Sequence, residues 1–335
     1  MPDLGRYLAK RGLDRVVLVV TVVTMQFVLL RIVPTYVMGI DPSRFLIDLD
    51  APPDQKILIR KQFGLDEPIF PHQYVRYVLN LFRGEFGFSF LTRQPVVNEI
   101  MERLPNTVIL SGSSILLDFV IGLSIGLYTA TRRGKRVDSV IIQSSIFSYI
   151  MPIWLMGLIL LMFLAWFPRV AWGIKLFPIS GTTSPFLPPD PFVRVLDYLW
   201  HLVLPLMASV ITGFGARTYY FRNLAITEME QDYVLTAKAK GLPEKRIMRR
   251  HVLRNVTPPV VTSVALSVPG VVSGWIITET VFSWYGLGLY VFQAISSYNY
   301  PAVQAVLFMQ AVITAVSLFI ADIAISHLDP RVRLR

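Results

Sequence analysis

The sequence predicts an all-α, polytopic membrane protein with six transmembrane helices, and three observations carry that expectation. Mean hydropathy is +0.53, with 53% hydrophobic and only 16% charged residues, whereas ordinary soluble domains carry about 25% charged residues. Six apolar stretches, 13–33, 107–130, 139–166, 200–216, 258–282 and 303–325, are close to or above the ~20 residues that a bilayer-crossing helix needs. The charge is also asymmetric about these runs. Of the 32 Lys and Arg residues, 20 fall in the N-terminus, the 131–138 turn, the 217–257 segment and the C-terminal tail, which together net +12; the opposite side nets +1. The basic side is expected to be cytoplasmic, with both termini on it. Asp118, Glu279 and Asp322 lie within or near the ends of the apolar runs.

Taken in chain order, the first run "VVLVVTVVTMQFVLL" follows Arg6, Lys10, Arg11 and Arg15. It lacks a small-residue cleavage site and reads as a retained membrane helix. Residues 34–105 are too polar to span and are expected outside. Within them, "DQKILIRKQFGLDEP" reads as a short amphipathic helix stopped by Gly64 and Pro68. "HQYVRYVLNLF" repeats apolar positions at helical spacing, and "PVVNEIMERLPNT" starts at Pro95 and leads into the second membrane helix. Such helices lie on the outer surface or pack on the bundle. The 167–199 segment is also expected outside, where its six prolines argue against a long helix.

Only the 217–257 segment is long enough to build helices on the basic side. In "DYVLTAKAKGLPEKRIMRRHVLRN", Glu228, Glu230 and Asp232 precede an apolar stretch that Lys238 and Lys240 close. That order complements a helix dipole. Gly241 stands where a left-handed cap belongs, and Pro243 prevents continuation. Residues 232–240 therefore read as one short, independent helix. Ala237 and Ala239 leave parts of its surface flat for a partner. "EKRIMRRHVLRNV" reads as a second, basic helix ended by Pro258 and Pro259.

Several classes of chemistry find no support. There is no "GxxxxGK[ST]" phosphate loop and no "GxSxG" elbow. His72, His201, His251 and His327 are scattered without metal-ligand spacing, and cysteine is absent. The basic charge is explained by topology and no nucleic-acid module is recognisable, so nucleic acid is not an expected partner.

The quoted segment resembles the cytoplasmic signature loop of ABC-importer permeases, in the form of the dipeptide, oligopeptide and nickel group. "RKQFGLDEPIFPHQYVRYVLNLFRGEFGFS", "RLPNT" at 103–107, "HLVLP" at 201–205, "ETVFSWYGLG" at 279–288 and "LDPRVR" at 328–333 resemble that group as well. The general loop pattern is Glu-Ala-Ala and, after three intervening residues, Gly. Here those positions hold Leu235, Thr236, Ala237 and Gly241. The Glu and the first Ala are missing; Thr-Ala is usual in the peptide group, which often has Arg where Leu235 stands.

The resemblance implies a type I ABC importer permease fold. Residues 1–105 would be an N-terminal extension, and 106–335 a five-helix core containing the 217–257 coupling loop. It implies that Asp232, Tyr233, Thr236, Ala237, Lys240 and Gly241 couple to an ATPase, and that Glu279 has a gating or structural role. The chain would bind no cofactor of its own; ATP and Mg would sit on partner subunits. The implied partners are a second related permease, two ABC ATPase subunits, an extracytoplasmic substrate-binding protein and the bilayer of the cell membrane. The implied cargo is peptides, oligosaccharides or nickel complexes. A self-sufficient secondary transporter or channel is the alternative.

Overall fold

The computed structural model describes residues 4–328, apart from 38, 40–46, 48–49, 65 and 273–274. The described part is helical, and its one isolated β-bridge joins Phe88 and Pro95. The "LDPRVR" tail lies outside the described residues, save Leu328, and so does Leu65 of the first outer segment.

Helix α1 (Leu4–Phe27) continues through a π-helical turn, Val28–Ile32, into Val33–Tyr36. Two shorter helices follow, α2 (Pro53–Phe63) and α3 (Tyr74–Arg83), ended by Gly64 and Gly84 in left-handed cap positions. α3 packs on the bundle: Phe27 of α1 meets Tyr74 and Tyr77 at centroid distances of 5.2 and 5.3 Å, and Phe82 meets Phe308 at 5.3 Å.

The next helix, α4 (Val96–Ala130), is continuous from the amphipathic piece expected outside into the expected membrane run and contains Pro105. The division drawn between residues 105 and 106 thus falls inside one helix. Then come α5 (Arg136–Ile150) and α6, which runs from Ile153–Leu160 through Leu161–Trp166 to Phe167–Trp172. The single run expected over 139–166 is therefore broken at Met151–Pro152. Proline drives its predecessor out of the helical region, and Met151 has ψ 120°.

α7 (Pro191–Met229) begins inside the segment expected to be non-helical. Pro191 sits in its first turn, where its missing N–H costs nothing, and the Asp190 carboxylate accepts a hydrogen bond from the Phe192 N–H at 2.8 Å. α8 (Asp232–Ala239) follows as expected. α9 runs from Glu244–Ile247 through a π-helical turn, Met248–Val252, to Leu253–Val272. Pro258 and Pro259 lie inside it rather than ending it. The carbonyls they leave without N–H partners belong to Arg254 and Asn255, both exposed to solvent. α10 (Ile276–Val281), α11 (Leu287–Ser296) and α12 (Tyr300–Leu328) complete the chain.

Among the described residues, five helices are long and apolar enough to cross a membrane: α1, α4, α6, α7 and α12. The sixth expected run, 258–282, is occupied by the proline-rich part of α9 and by α10, with 273–274 outside the described residues.

The central pair is α4 with α7, flanked by α5 on α7, α9 on α12 and α1 on α12. Gly122 and Gly126 let α4 approach closely. A Cβ on Gly122 would lie 2.4 Å from Arg217 Cβ, and one on Gly126 would lie 2.9 Å from the Thr218 carbonyl oxygen. This GxxxG spacing is the small-residue device by which membrane helices bring their backbones together. At one end, Arg15 of α1 donates to Asp322 of α12 at 2.7 Å, with Arg11 at 3.9 Å. Asp322 is thereby accounted for as an interhelical ion pair.

Candidate functional site

The 39 residues of α7 extend about 58 Å, well beyond a hydrocarbon core of about 30 Å. α7 is therefore longer than a single crossing needs, and α8 follows at its C-terminal end. Gln231 is extended, at φ −75° and ψ 148°, and turns the chain between the two helices.

α8 has an inner and an outer face. Val234 and Ala237 are buried against Ala130 of α4, Ala225 of α7, and Ile247, Val252 and Val256 of α9. Asp232, Leu235, Thr236 and Ala239 recur at helical spacing on the exposed face. Ala237, expected on the partner-facing surface, instead faces the chain's own bundle at 5% exposure. The physical reason is that it lies three residues after Val234, on the stripe that anchors the helix. The outward apolar residue is Leu235, at 68% exposure; sequence reasoning treated it only as a departure from a pattern.

The remaining expected residues support this geometry. The Tyr233 hydroxyl donates to Glu228 at 2.6 Å, and burial, with that hydrogen bond, pushes the phenol above its ordinary range. The Thr236 hydroxyl donates to the Asp232 carbonyl at 3.0 Å. Lys240 is the exposed C-cap, and Gly241 takes φ +73°. The Gly241 N–H donates to the Lys238 carbonyl at 2.9 Å and the Leu242 N–H to the Ala237 carbonyl at 3.3 Å. These are the two bonds of a Schellman stop. Leu242 then packs back onto the anchoring cluster.

A second lock stiffens the same end. Arg222 of α7 donates through Nε and Nη2 to the two oxygens of Asp138 on α5, both at 2.7 Å, and the Gly134 N–H donates to Asp138 at 3.0 Å. The Arg222 hydrogen bonds hold the Asp138 carboxyl below the usual aspartate range. Arg133 pairs with Glu230 at the exit of α7. Because α8 is clamped on one face to α4, α7 and α9, a force on its other face passes to all three as a rigid-body displacement.

At the opposite end of the fold, three separately recognised motifs meet. Glu279 of α10 is fully buried. It accepts from the Thr107 hydroxyl at 2.9 Å and from the Leu289 N–H at 3.0 Å. Thr107 accepts in turn from the Leu287 N–H at 2.7 Å. Together they satisfy the start of α11, whose N-cap is Gly286 and offers no side chain. Asn106 donates to the Tyr285 carbonyl at 2.7 Å, the Trp284 indole donates to the Asn106 carbonyl at 3.0 Å, and the Tyr198 hydroxyl donates to the Asn106 side chain at 3.0 Å. Arg103 stacks over Tyr285 and Tyr290 at 4.3 and 4.5 Å. Leu202 of "HLVLP" packs with Leu110 and Trp284. The approach leaves no room for side chains at two glycines. A Cβ on Gly286 would lie 2.4 Å from Glu279 Oε2, and one on Gly288 would lie 2.7 Å from the Ile276 nitrogen.

Sequence reasoning singled out Glu279 but missed Asn106 and Thr107 as its neighbours. It also missed Gly122 and Gly126, although their spacing in an apolar run is a readable signal. Among the described residues, no group of three or more His, Asp or Glu is arranged to hold a metal ion.

Comparison with known proteins bears on both ends. Residues 122–334 match the family described as binding-protein-dependent transport system inner membrane component, and residues 4–111 match its N-terminal family. A di/tripeptide transport system permease protein of Pseudomonas aeruginosa (strain UCBPP-PA14) is 32% identical over 93% of this chain and 94% of its own length. An oligopeptide transport system permease protein of Bacillus subtilis (strain 168) is 29% identical over 98% and 99%. Among solved structures, a chain of the inward-facing MetNI methionine ABC transporter superposes with TM-score 0.52 at 16% identity. That match covers 70% of this chain and 99% of the other, and it shows the fold.

Proposed function

The chain belongs to the family of binding-protein-dependent transport system inner membrane components, a permease subunit of an ABC importer, and from that membership we propose that its cargo is peptide. It is a multi-pass membrane protein and not itself an enzyme. The ATPase and the substrate-binding protein of such an importer are separate subunits. In our reading the outer face of α8, with Asp232, Leu235, Thr236 and Lys240, seats in a groove on the ATPase, as helix-in-groove recognition does. ATP and magnesium are held there and not by this chain. A second, related permease completes the pathway, and the basic ends of the helices lie in the cytoplasm.

The observation that carries the mechanism is the two-faced α8, displayed on one side and anchored on the other to three long helices. Closure of the ATPase pair would push α8, and the clamp would convert that push into movement of α4, α7 and α9. The peptide reading is supported by the near-full-length relatives, whose names specify di/tripeptides and oligopeptides. It is tested in proteoliposomes containing the whole complex and its binding protein. ATP-dependent uptake of labelled tri-alanine is expected, undiminished by excess maltotriose or a nickel chelate. Uptake of either competitor in place of the peptide would overturn it.

A further inference from the structure

Arg217 is a cation inside a membrane-crossing helix, and among the described residues it makes no ion pair within 4.0 Å. It lies on α7, and its guanidinium reaches across to α9. There Nη1 donates to Ser263 at 3.0 Å and Nη2 to Ser267 at 2.8 Å. Ser263 stands nine residues beyond Arg254, the last base of the exposed basic segment. At helical rise this places the guanidinium about 14 Å further into the bundle. Among the described residues, no carboxylate is within ion-pair reach of it. Asp118 of α4, the acid nearest to it electrostatically, is buried against Gly213.

The side chain is held in place from behind. The Arg217 Cβ is pressed onto α4 at Gly122, and the guanidinium lies 4.2 Å over the Phe119 ring. A guanidinium has five N–H donors. The two serine hydroxyls take two of them, and Arg217 lines a cleft of about 680 Å³ with Tyr220, Thr262, Ser263, Leu266 and Ser267. A cleft bearing an arginine, three hydroxyl residues of α9 and a tyrosine does not face acyl chains, where such groups are costly. It faces a watered or protein-lined space.

We infer that Arg217, with Thr262, Ser263 and Ser267, forms a subsite in the translocation pathway that takes a carboxylate of the passing cargo, such as the C-terminus of a peptide. This rests on the permease reading above and adds a chemical handle to it. The planar fork suits a carboxylate, which it pairs in a bidentate way. Serine partners hold the fork by hydrogen bonds and leave it without a carboxylate in direct contact, Asp118 acting only through space. Two hydroxyls in place of a carboxylate also keep the grip weak enough for release, which a conducting site needs.

Two measurements on the assembled complex test this. The chain has no cysteine, so Leu266→Cys introduces its one thiol, at an exposed position of the cleft. Its modification by an anionic sulfonatoethyl and a cationic trimethylammonioethyl thiosulfonate is followed by mass spectrometry of this chain. Arg217→Gln is expected to lower the anionic-to-cationic rate ratio about tenfold, and Arg217→Lys to lower it much less. A ratio indifferent to Arg217→Gln would overturn the subsite. In uptake assays, Arg217→Gln is expected to lose about tenfold or more with tri-alanine and to transport tri-alanine amide as the parent complex does. Equal loss with both peptides would reduce Arg217 to a strut between α7 and α9. A parent complex that takes up neither peptide, while the thiol ratio still depends on Arg217, would overturn the peptide reading and leave the anion subsite standing.

Discussion

Glu279 is a carboxylate that serves as the missing cap of α11. Both of its oxygens accept, one from Thr107 and one from the Leu289 N–H. Glu279→Gln keeps the shape but replaces one accepting oxygen by an NH2 group, facing either the Leu289 N–H or a Thr107 hydroxyl that already accepts from the Leu287 N–H. An unsatisfied buried group costs about 1–3 kcal/mol, so the variant is expected to lower the Tm of the purified complex and to impair transport of every cargo alike. A changed preference among cargoes would contradict this capping role. Asp138 makes a pH-dependent contribution of defined sign. Its folded pKa lies below the ordinary aspartate value, which is about 3.9. The stability it supplies is therefore fully present above that value and is lost as pH falls through the depressed one. Asp138→Asn is expected to cost about 1–3 kcal/mol at neutral pH, and its Tm deficit against the parent should shrink below about pH 4. A deficit that stays constant as the pH falls well below that value would show that Arg222 does not depend on the charge.

The helix 232–240 was legible as an element because its punctuation is local: acids before, bases after, then Gly241 and Pro243. Its orientation was not legible, because Val234, Leu235 and Ala237 are all small or apolar and only the packing of α4, α7 and α9 selects the inner pair. This separates three variants. A Cβ at Gly241 would meet no atom within 4 Å, but Gly241→Val strains a left-handed residue by about 1–2 kcal/mol, so it should assemble while weakening the Schellman stop. Ala237→Glu drives a charge into the anchoring cluster and should lower both thermal stability and ATPase coupling. Leu235→Glu alters only the displayed face and is expected to keep the Tm while losing substrate-stimulated ATP hydrolysis and pull-down of the ATPase subunits. Normal coupling in Leu235→Glu would remove the outer face of α8 from the interface.

Across the whole molecule, α8 with the Arg222–Asp138 lock lies at one end and the Glu279 knot at the other, joined by the α4–α7 pair. Orientation in the membrane is testable on a chain that lacks native thiols. Thr183→Cys and Ser296→Cys, both at exposed positions, should react with an impermeant reagent added outside intact cells, and Thr236→Cys should not. Labelling of the Thr236 variant from outside would invert the assignment. The long helices make a second test. Gly122→Leu would force α4 off Arg217 and separate the central pair, and is expected to abolish assembly, read as loss of the monodisperse complex.

The sequence by itself determined the class, the apolar runs and the place of the short helix, because hydropathy, charge asymmetry and helix stops act within about twenty residues. It also flagged Glu279, since an acid in an apolar run demands explanation. Only the tertiary structure decided what those features face. It joined residues 96–130 into one helix and broke 139–166 at Met151–Pro152. It carried a helix through Pro258 and Pro259, and it turned Ala237 inward. It also brought Thr107 to Glu279 across 172 positions and Arg217 to Ser263 and Ser267. The physical reason is that a helix end, a proline or a buried charge is tolerated according to what neighbouring helices and water supply, and those neighbours are distant in sequence.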